Sequence, residues 1–498
     1  MPPLKSPNRL WDITLKLVDN LVIRASAAIQ ELYGSYDNKE CRTQIEMFQQ
    51  YLLSYIPSVV LEQVLNQCQQ QRCLNSDNRI WFSIFMHKNM KLLQVQVNIR
   101  ENRADDAFWI ENLKNLGNLV ELDLHLVCTD EILEVVGCYC RKLTSVNIMS
   151  KVETDIPSGS LLFPFNAMKL KFFVSDEGLR HLSNCQNLRV VTMSSLIRSH
   201  CGGRTMSVAG IRQFIKSLPC IQYVSYSDMG VVIADDMDDI RSLPLVRIND
   251  SHPQVSHIKA MSRLCPRLQE LALTAVYSQT NTVEVLNALR ESDLEVEDLE
   301  LVNFPASDSL MNFIKVKGSF LTRLCLKIRC ITFDMVSNIG QFCTNLKHLT
   351  LREDYFDRDG PRTDEMLSAC GGFRCMFTNL ECLLVGGFQW NPRIILPLLL
   401  TDAKHLQNLT ILCHKDYGYL DDTFLRILRA NPMAKLVYIH VNCIIGAKCV
   451  REICCCPNLR YFKYIVSICS SLGFIEEIKE EFCDKNYDFK FVDIVRDV

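Results

Sequence analysis

Cysteine is the reactive residue this chain has most conspicuously in number, with 24 among 498 residues. Closely spaced thiols could hold zinc or staple a disulfide scaffold. No C-x-x-C pair occurs in the sequence, however, and disulfide scaffolds are short, secreted and denser in cysteine. The positions point elsewhere. Cys140, Cys185, Cys220, Cys265, Cys343 and Cys456 each stand one to three residues before an apolar run, as in Cys185-Gln-Asn-Leu188 and Cys343-Thr-Asn-Leu346. A reduced cysteine there is a small buried hydrophobe, so free thiols are expected, and the Cys454-Cys455-Cys456 run reads as the same kind of turn.

The remaining candidates for chemistry are weaker. His252 and His257 are five apart, an unsuitable spacing for two ligands on one helical face. Asp235, Asp236, Asp238 and Asp239 could attract a cation but lack the glycine and spaced oxygens of a calcium loop, so a solvated turn is expected. No phosphate-binding, dinucleotide-binding or nucleophile-elbow motif occurs. The sequence therefore assigns no catalytic residue, no metal ligand and no cofactor, and the chain reads as a non-enzyme.

The apolar runs beside those cysteines form a repeat. Leu119-x-x-Leu122-x-Leu124 returns from Leu143, Leu188, Ile221, Leu268, Val296, Leu321, Leu346, Leu380, Leu406, Leu436 and Leu459, with a first copy at Leu92 and a degenerate one near Leu245-x-x-Ile248. Intervals such as 24 residues from Leu119 to Leu143 and 25 from Leu321 to Leu346 fall in the roughly 20–29 typical of leucine-rich repeats. The expected fold is an α/β leucine-rich-repeat solenoid, with a curved parallel sheet of about a dozen strands on the concave side and helices on the convex side. Segments such as Ser175–Cys185 and Ser207–Leu218 open on a capping serine and carry helical apolar spacing. The expected organisation is a helical segment over 1–90, the array over 91–470 and a C-terminal cap over 471–498.

In that register Leu271, Leu299, Leu324 and Leu349 face the core. Alternation then turns Glu121, Asp123, Glu270, Asp298 and Glu300, and later Arg323, Lys327, Arg329, His348, Arg352, His440 and Lys463, to the concave face. The face changes sign between Glu300 and Arg323. Insertions after the strands line one rim, the largest running from Lys151 to Val174. Three consecutive late insertions bring Tyr355, Phe356, Phe388, Trp390, Tyr417 and Tyr419 together. With Arg323, Lys327, His348 and Arg352 they form the expected surface for a protein substrate, because aromatic residues on adjacent loops are typical binding hot spots.

A net charge of −3 and a pI near 6.4 give no reason to expect nucleic acid or an anionic membrane surface. The start of the chain lacks an apolar signal core, and no aliphatic run approaches the roughly 20 residues of a membrane span. The expected location is the cytoplasm or the nucleus, with no membrane partner.

The first segment sharpens the function. Leu10, Ile13, Thr14, Leu17, Val18 and Leu21 fall on one helical stripe, a second helix runs roughly from Cys41 to Tyr55, and a third follows Pro57 with Val60, Leu61, Val64 and Leu65 on one face. Repeats such as SDEGLRHLSNCQNLRVVTM resemble those of substrate receptors of cullin–RING ubiquitin ligases. LWDITLKLV resembles the elongin C-binding BC box, with Leu10, Thr14 and Val18 at its three positions and Thr14 in place of the usual cysteine. IPSVVLEQVL, from Ile56 and Pro57, resembles the cullin-contacting part of von Hippel–Lindau-box (zyg-like) receptors, and also an F-box core followed by a tryptophan, here Trp81. The resemblance implies a protein substrate held by the repeats, and elongin B/C with a cullin, or a Skp-type adaptor, held through Leu10, Thr14, Leu17, Val18, Ile56 and Pro57. The alternative is a leucine-rich-repeat scaffold or inhibitor that contacts no ligase.

Overall fold

The computed structural model describes residues 8–71, 78–95, 106–124, 127–149, 152–154, 170–172, 174–193, 206–234, 242–276, 281–353, 376–387, 390–413, 420–464, 477 and 490–493. Its contacts divide the chain into an N-terminal unit, Pro3–Asp236 with Leu243–Leu245, and a C-terminal unit that takes Val246–Val498 with Met237–Ser242. The division falls inside the expected array, so the N-terminal helices share a unit with the first repeats.

The N-terminal unit begins with α1 (Asn8–Tyr33), α2 (Lys39–Tyr55), α3 (Ser58–Gln71) and α4 (Asn78–Phe85). Strands β1 (Leu92–Gln94), β2 (Glu121–Asp123) and β3 (Ser145–Asn147) follow, with α5 (Asp106–Leu113) and α6 (Asp130–Tyr139) between them. The 151–174 insertion contributes a small antiparallel pair, β4 (Val152–Thr154) with β5 (Leu170–Phe172). Then come α7 (Asp176–Leu182), β6 (Val190–Thr192), α8 (Val208–Ser217), β7 (Tyr223–Ser225) and α9 (Met229–Ala234). The other strands pair parallel in the order β1-β2-β3-β6-β7.

The C-terminal unit continues the strand–helix alternation: β8 (Arg247–Asp250), α10 (Val255–Leu264), β9 (Glu270–Thr274), α11 (Thr282–Glu291), β10 (Asp298–Val302), α12 (Asp308–Lys317), β11 (Arg323–Ile328), α13 (Phe333–Phe342) and β12 (His348–Glu353). It ends with β13 (Cys382–Gly387), α14 (Pro392–Leu400), β14 (Asn408–Cys413), α15 (Asp421–Ala430), β15 (Tyr438–Asn442), α16 (Ala447–Cys454), β16 (Tyr461–Tyr464) and β17 (Lys490–Asp493). Its strands pair parallel in sequence order from β8 to β17, and each helix packs on its sequence neighbours. Both units are therefore solenoid-like stacks of one repeated strand–helix element. Every strand expected from the leucine spacing is present. β17 lies in the segment expected to be a cap and instead adds one more parallel strand.

The register follows the spacing residue for residue. Ile248, Leu271, Leu299, Leu324, Leu349, Leu383, Leu409, Ile439 and Phe462 align across the strands of the C-terminal unit and are all buried. Helices start where the caps require. Ser175 Oγ accepts from Glu177 N–H and Ser207 Oγ from Gly210 N–H, satisfying first-turn donors that otherwise lack a partner.

The cysteines mark a recurrent position three residues before the first leucine of a repeat. Cys140, Cys185, Cys265, Cys343 and Cys456 occupy it and are buried. Cys140 Sγ lies 3.7 Å from Leu116 O, Cys185 Sγ 3.6 Å from Cys140 O, and Cys456 Sγ 3.7 Å from Pro432 O, each a carbonyl of the preceding repeat. Burial pushes the thiols of Cys140, Cys265 and Cys343 up to about 12, and those of Cys185 and Cys456 to about 11, so none is a thiolate at neutral pH. Cys220 departs from the expectation and is exposed, because it stands one residue before Ile221 while Leu218 fills the buried position. The asparagine just before the first leucine also bridges repeats. Asn118, Asn187, Asn345, Asn379 and Asn458 each donate from Nδ2 to a backbone carbonyl 24 to 46 residues earlier.

Among the described residues no helix is long and apolar enough to cross a membrane.

Candidate functional site

Strand alternation that buries one set of side chains leaves the other set on an open sheet face. In the C-terminal unit this face splits into two chemically different halves. From β8 to β12 it carries Arg247, Glu270, Asp298, Glu300, Arg323, Lys327, His348 and Arg352 in aligned positions. Neighbouring strands neutralise one another there. Arg247 is 3.6 Å from Glu270, Arg323 is 3.4 Å from Asp298, and Lys327 Nζ donates to Glu300 Oε1 at 2.6 Å.

The expected change of sign between Glu300 and Arg323 is thus a seam of ion pairs. Burial raises the Asp298 carboxyl against the opposing pull of Arg323. The hydrogen bond from Lys327 to Glu300 raises the Lys327 ammonium. Burial lowers His348, and the Arg323 charge adds to it. Exposed pairs of this kind contribute about 0–1 kcal/mol each, so their main effect is to occupy one another. Arg352 is exposed and forms no ion pair among the described residues.

From β13 to β16 the open positions change character. They are Cys382, Leu384 and Gly386 on β13, Asn408, Thr410 and Leu412 on β14, Tyr438, His440 and Asn442 on β15, and Tyr461 and Lys463 on β16. Lys463 is the only charged residue among these. Leu384, Leu412 and Tyr438 are half-exposed, and Tyr461 is 44% exposed. Gly386 is required by the packing: a Cβ there would stand 2.7 Å from Leu412 Cβ, so the glycine lets Leu412 lie across β13. Burial holds His440 below its usual value, and the Lys463 charge adds to that, so His440 is neutral at neutral pH.

The four basic or histidine residues expected to bind substrate, Arg323, Lys327, His348 and Arg352, all lie on this face. Of the rim aromatics, Tyr355, Phe356, Phe388, Tyr417 and Tyr419 lie outside the described residues. Trp390 corrects the expectation. It is 0% exposed, and its backbone N–H donates to the buried Glu353, which also accepts from Ile331 N–H at 3.0 Å. Glu353, at the end of β12, ties the segment after β11 to the segment after β13, and Trp390 is the core anchor of that bracing. Leu384, Leu412, Tyr438 and Tyr461 were not singled out from the sequence. Their signal was available, since they occupy the variable positions of the repeat template.

The N-terminal helices divide in the same way. α3 buries Val60, Leu61, Val64 and Leu65, and its Glu62 carboxylate accepts from Lys91 and Leu92 N–H at 3.1 and 3.2 Å, closing off β1. Trp81 is buried on α4 in an aromatic cluster with Phe82 and Phe85, and Phe82 in turn meets Trp109. Ile56 is half-buried and Pro57 exposed. On α1 the expected single stripe separates into two. Leu15, Val18 (7% exposed), Val22 and Ile29 face the core, whereas Ile13, Leu17 (65% exposed), Leu21 and Leu32 are exposed. Thr14 is half-buried, and Leu10 lies in the helix with its side chain outside the description. On α2, Met47, Tyr51 and Tyr55 form a further exposed line, with the two tyrosine rings 5.0 Å apart.

Among the described residues no group of three or more His, Cys, Asp or Glu side chains is arranged to hold a metal, and the Asp235–Asp239 cluster lies outside them. No protein-family model matches the chain, and no curated protein matches it.

Proposed function

We propose that this chain is a leucine-rich-repeat substrate-recognition subunit of a cullin–RING ubiquitin ligase, performing no chemistry itself. The open strand face of the C-terminal unit holds a protein substrate, and α1 holds the adaptor. The carrying observation is the second apolar stripe of α1. A helix that only closes a repeat stack needs one apolar face, and Leu15, Val18, Val22 and Ile29 supply it. Ile13, Leu17 and Leu21 are surplus to that purpose, and three apolar residues at a spacing of four are what a partner groove grips.

This moves the contact line off the Leu10–Thr14–Val18 register of the BC-box resemblance, since Val18 faces inward. It also favours an elongin-type adaptor over a Skp-type one. Both the F-box and the cullin-contact resemblance rest on α3, whose Val60, Leu61, Val64 and Leu65 are consumed by its own unit, leaving only Val59 as an exposed aliphatic side chain among its described residues. The same closure of β1 by Glu62 is what favours the second reading, a scaffold or inhibitor without a ligase, in which α1 to α4 are a cap and nothing more.

Affinity purification separates the two. The wild-type chain should co-purify elongin B/C and a cullin, and a Leu17→Glu/Leu21→Glu variant of unchanged melting temperature should lose both. A wild-type chain that captures neither adaptor nor cullin sinks the ligase reading and leaves the scaffold.

A further inference from the structure

The open face of β13–β16 has an occupant written into its charge pattern. We infer that it binds an extended protein segment with an apolar or aromatic centre and an acidic residue towards each end. This deepens the function proposed above by naming the class of segment recognised, and it rests on that reading only in taking the strand face as the substrate surface.

Three observations converge. The centre of the patch, Leu384, Leu412 and Tyr438, is half-exposed and uncharged, and on the neighbouring strand Tyr461 adds an exposed ring. Leu412 reaches across Gly386, so the two leucines and the two tyrosines lie on four successive strands with no large polar side chain forced between Leu384 and Leu412. A cation stands at each margin: Arg352 on β12 and Lys463 on β16, neither ion-paired among the described residues. No acidic side chain occupies an open position from β13 to β16.

On β9 to β11 the opposite holds. Cations and carboxylates satisfy one another across Arg323–Asp298 and Lys327–Glu300, so a ligand there would have to break existing pairs. An acidic ligand gains most where the cations are free, and an apolar one where the strand positions are uncharged. Both conditions meet on β12–β16.

Geometry fixes the length. Four strand steps at about 4.8 Å separate β12 from β16 by about 19 Å, which an extended chain rising about 3.3 Å per residue covers in about six residues. The segment therefore carries its acidic residues about six positions apart, with two or three apolar side chains between them for Leu384, Leu412 and the tyrosine pair. Alternating side chains of an extended segment present the apolar ones to the sheet on one side. Aromatic or leucine anchors in such a centre are where binding energy concentrates.

The test is selection of a random 12-residue peptide library displayed on phage against the full-length chain. The expected enrichment is of peptides with Asp or Glu about six residues apart flanking Leu, Phe, Tyr or Trp. Fluorescence anisotropy with a labelled member of that class should show a roughly tenfold or greater loss of affinity in Arg352→Glu/Lys463→Glu, and in Leu412→Ser, at unchanged melting temperature. Rising salt should weaken wild-type binding and, by screening the new repulsion, strengthen whatever binding the charge-reversed variant retains. Enrichment of peptides without acidic flanks, enrichment that survives Arg352→Glu/Lys463→Glu, or no enrichment at all overturns the inference. Failure of the ligase reading is distinguishable: the peptides would still be selected while elongin and cullin fail to co-purify, and Leu17→Glu/Leu21→Glu would leave peptide affinity unchanged.

Discussion

Helices α1 and α3 look alike in the sequence, each an amphipathic stretch with aliphatic residues three and four apart, and the fold uses them oppositely. In α3 Val60, Leu61, Val64 and Leu65 all enter the core, and Glu62 binds the first strand's N–H groups. In α1 a comparable set is divided between a buried line and an exposed one. The difference teaches that apolar periodicity reports how many faces a helix could bury, whereas the supply of neighbours decides how many it does. The C-terminal unit repeats the contrast. Trp390 is enclosed beside Glu353, while Tyr461, another large ring near the strand array, is left on the surface.

Truncation at the two kinds of site should separate them by size of effect. Trp390→Ala, in the enclosed class, should cost about 3–5 kcal/mol in urea denaturation, as deletion of a fully buried aromatic does. A loss below about 1 kcal/mol would return Trp390 to the surface rim where its loop position suggested it. Leu61→Ala in α3 should cost about 2–5 kcal/mol by the same measurement.

A pH titration sharpens the contrast within the N-terminal unit. His87, just after α4, is buried, with both ring nitrogens lacking a hydrogen-bond partner among the described residues. Burial holds its imidazole below the ordinary 6.5. A group whose folded pKa is depressed lends stability above its unfolded pKa and withdraws it as the pH falls through the folded value. The melting temperature should therefore drop as the pH falls below the ordinary 6.5 towards the lowered folded value, and His87→Leu should flatten that drop. Equal slopes in the two proteins would remove His87 as a source of acid sensitivity. The smallest effect belongs to α1: Leu17→Ser should change stability by no more than about 0.5 kcal/mol, as an exposed substitution does, whatever it does to adaptor capture. A loss near that of Leu61→Ala would mean that Leu17 is covered in solution and that α1 has no spare face.

How much was legible differs by level. The Leu-x-x-Leu-x-Leu spacing located every strand of the parallel series through β16, including the degenerate β8 but not the inserted pair β4 and β5, because alternation across a half-buried strand leaves a period that survives substitution of Leu by Val, Ile or Phe. The open-face positions Arg323, Lys327, His348 and Arg352 followed from the same alternation. β17 was invisible because Lys490–Asp493 lies outside the leucine template and takes its place by pairing with β16. The burial of Trp390 was equally out of reach. It follows from a carboxylate 37 residues earlier, Glu353, which fixes the backbone of the segment.

The strand–helix repeat, the buried leucine columns, the capping serines and the cysteine position before each repeat are written in the chain, since they depend on periodicity and on neighbours within a turn or two. Which charges cancel across strands, the room that Gly386 makes for Leu412, and the stripe of α1 left open emerge only when the chain is folded. Those outcomes depend on side chains brought together from distant repeats, and a free energy set by such contacts has no local signature in the chain.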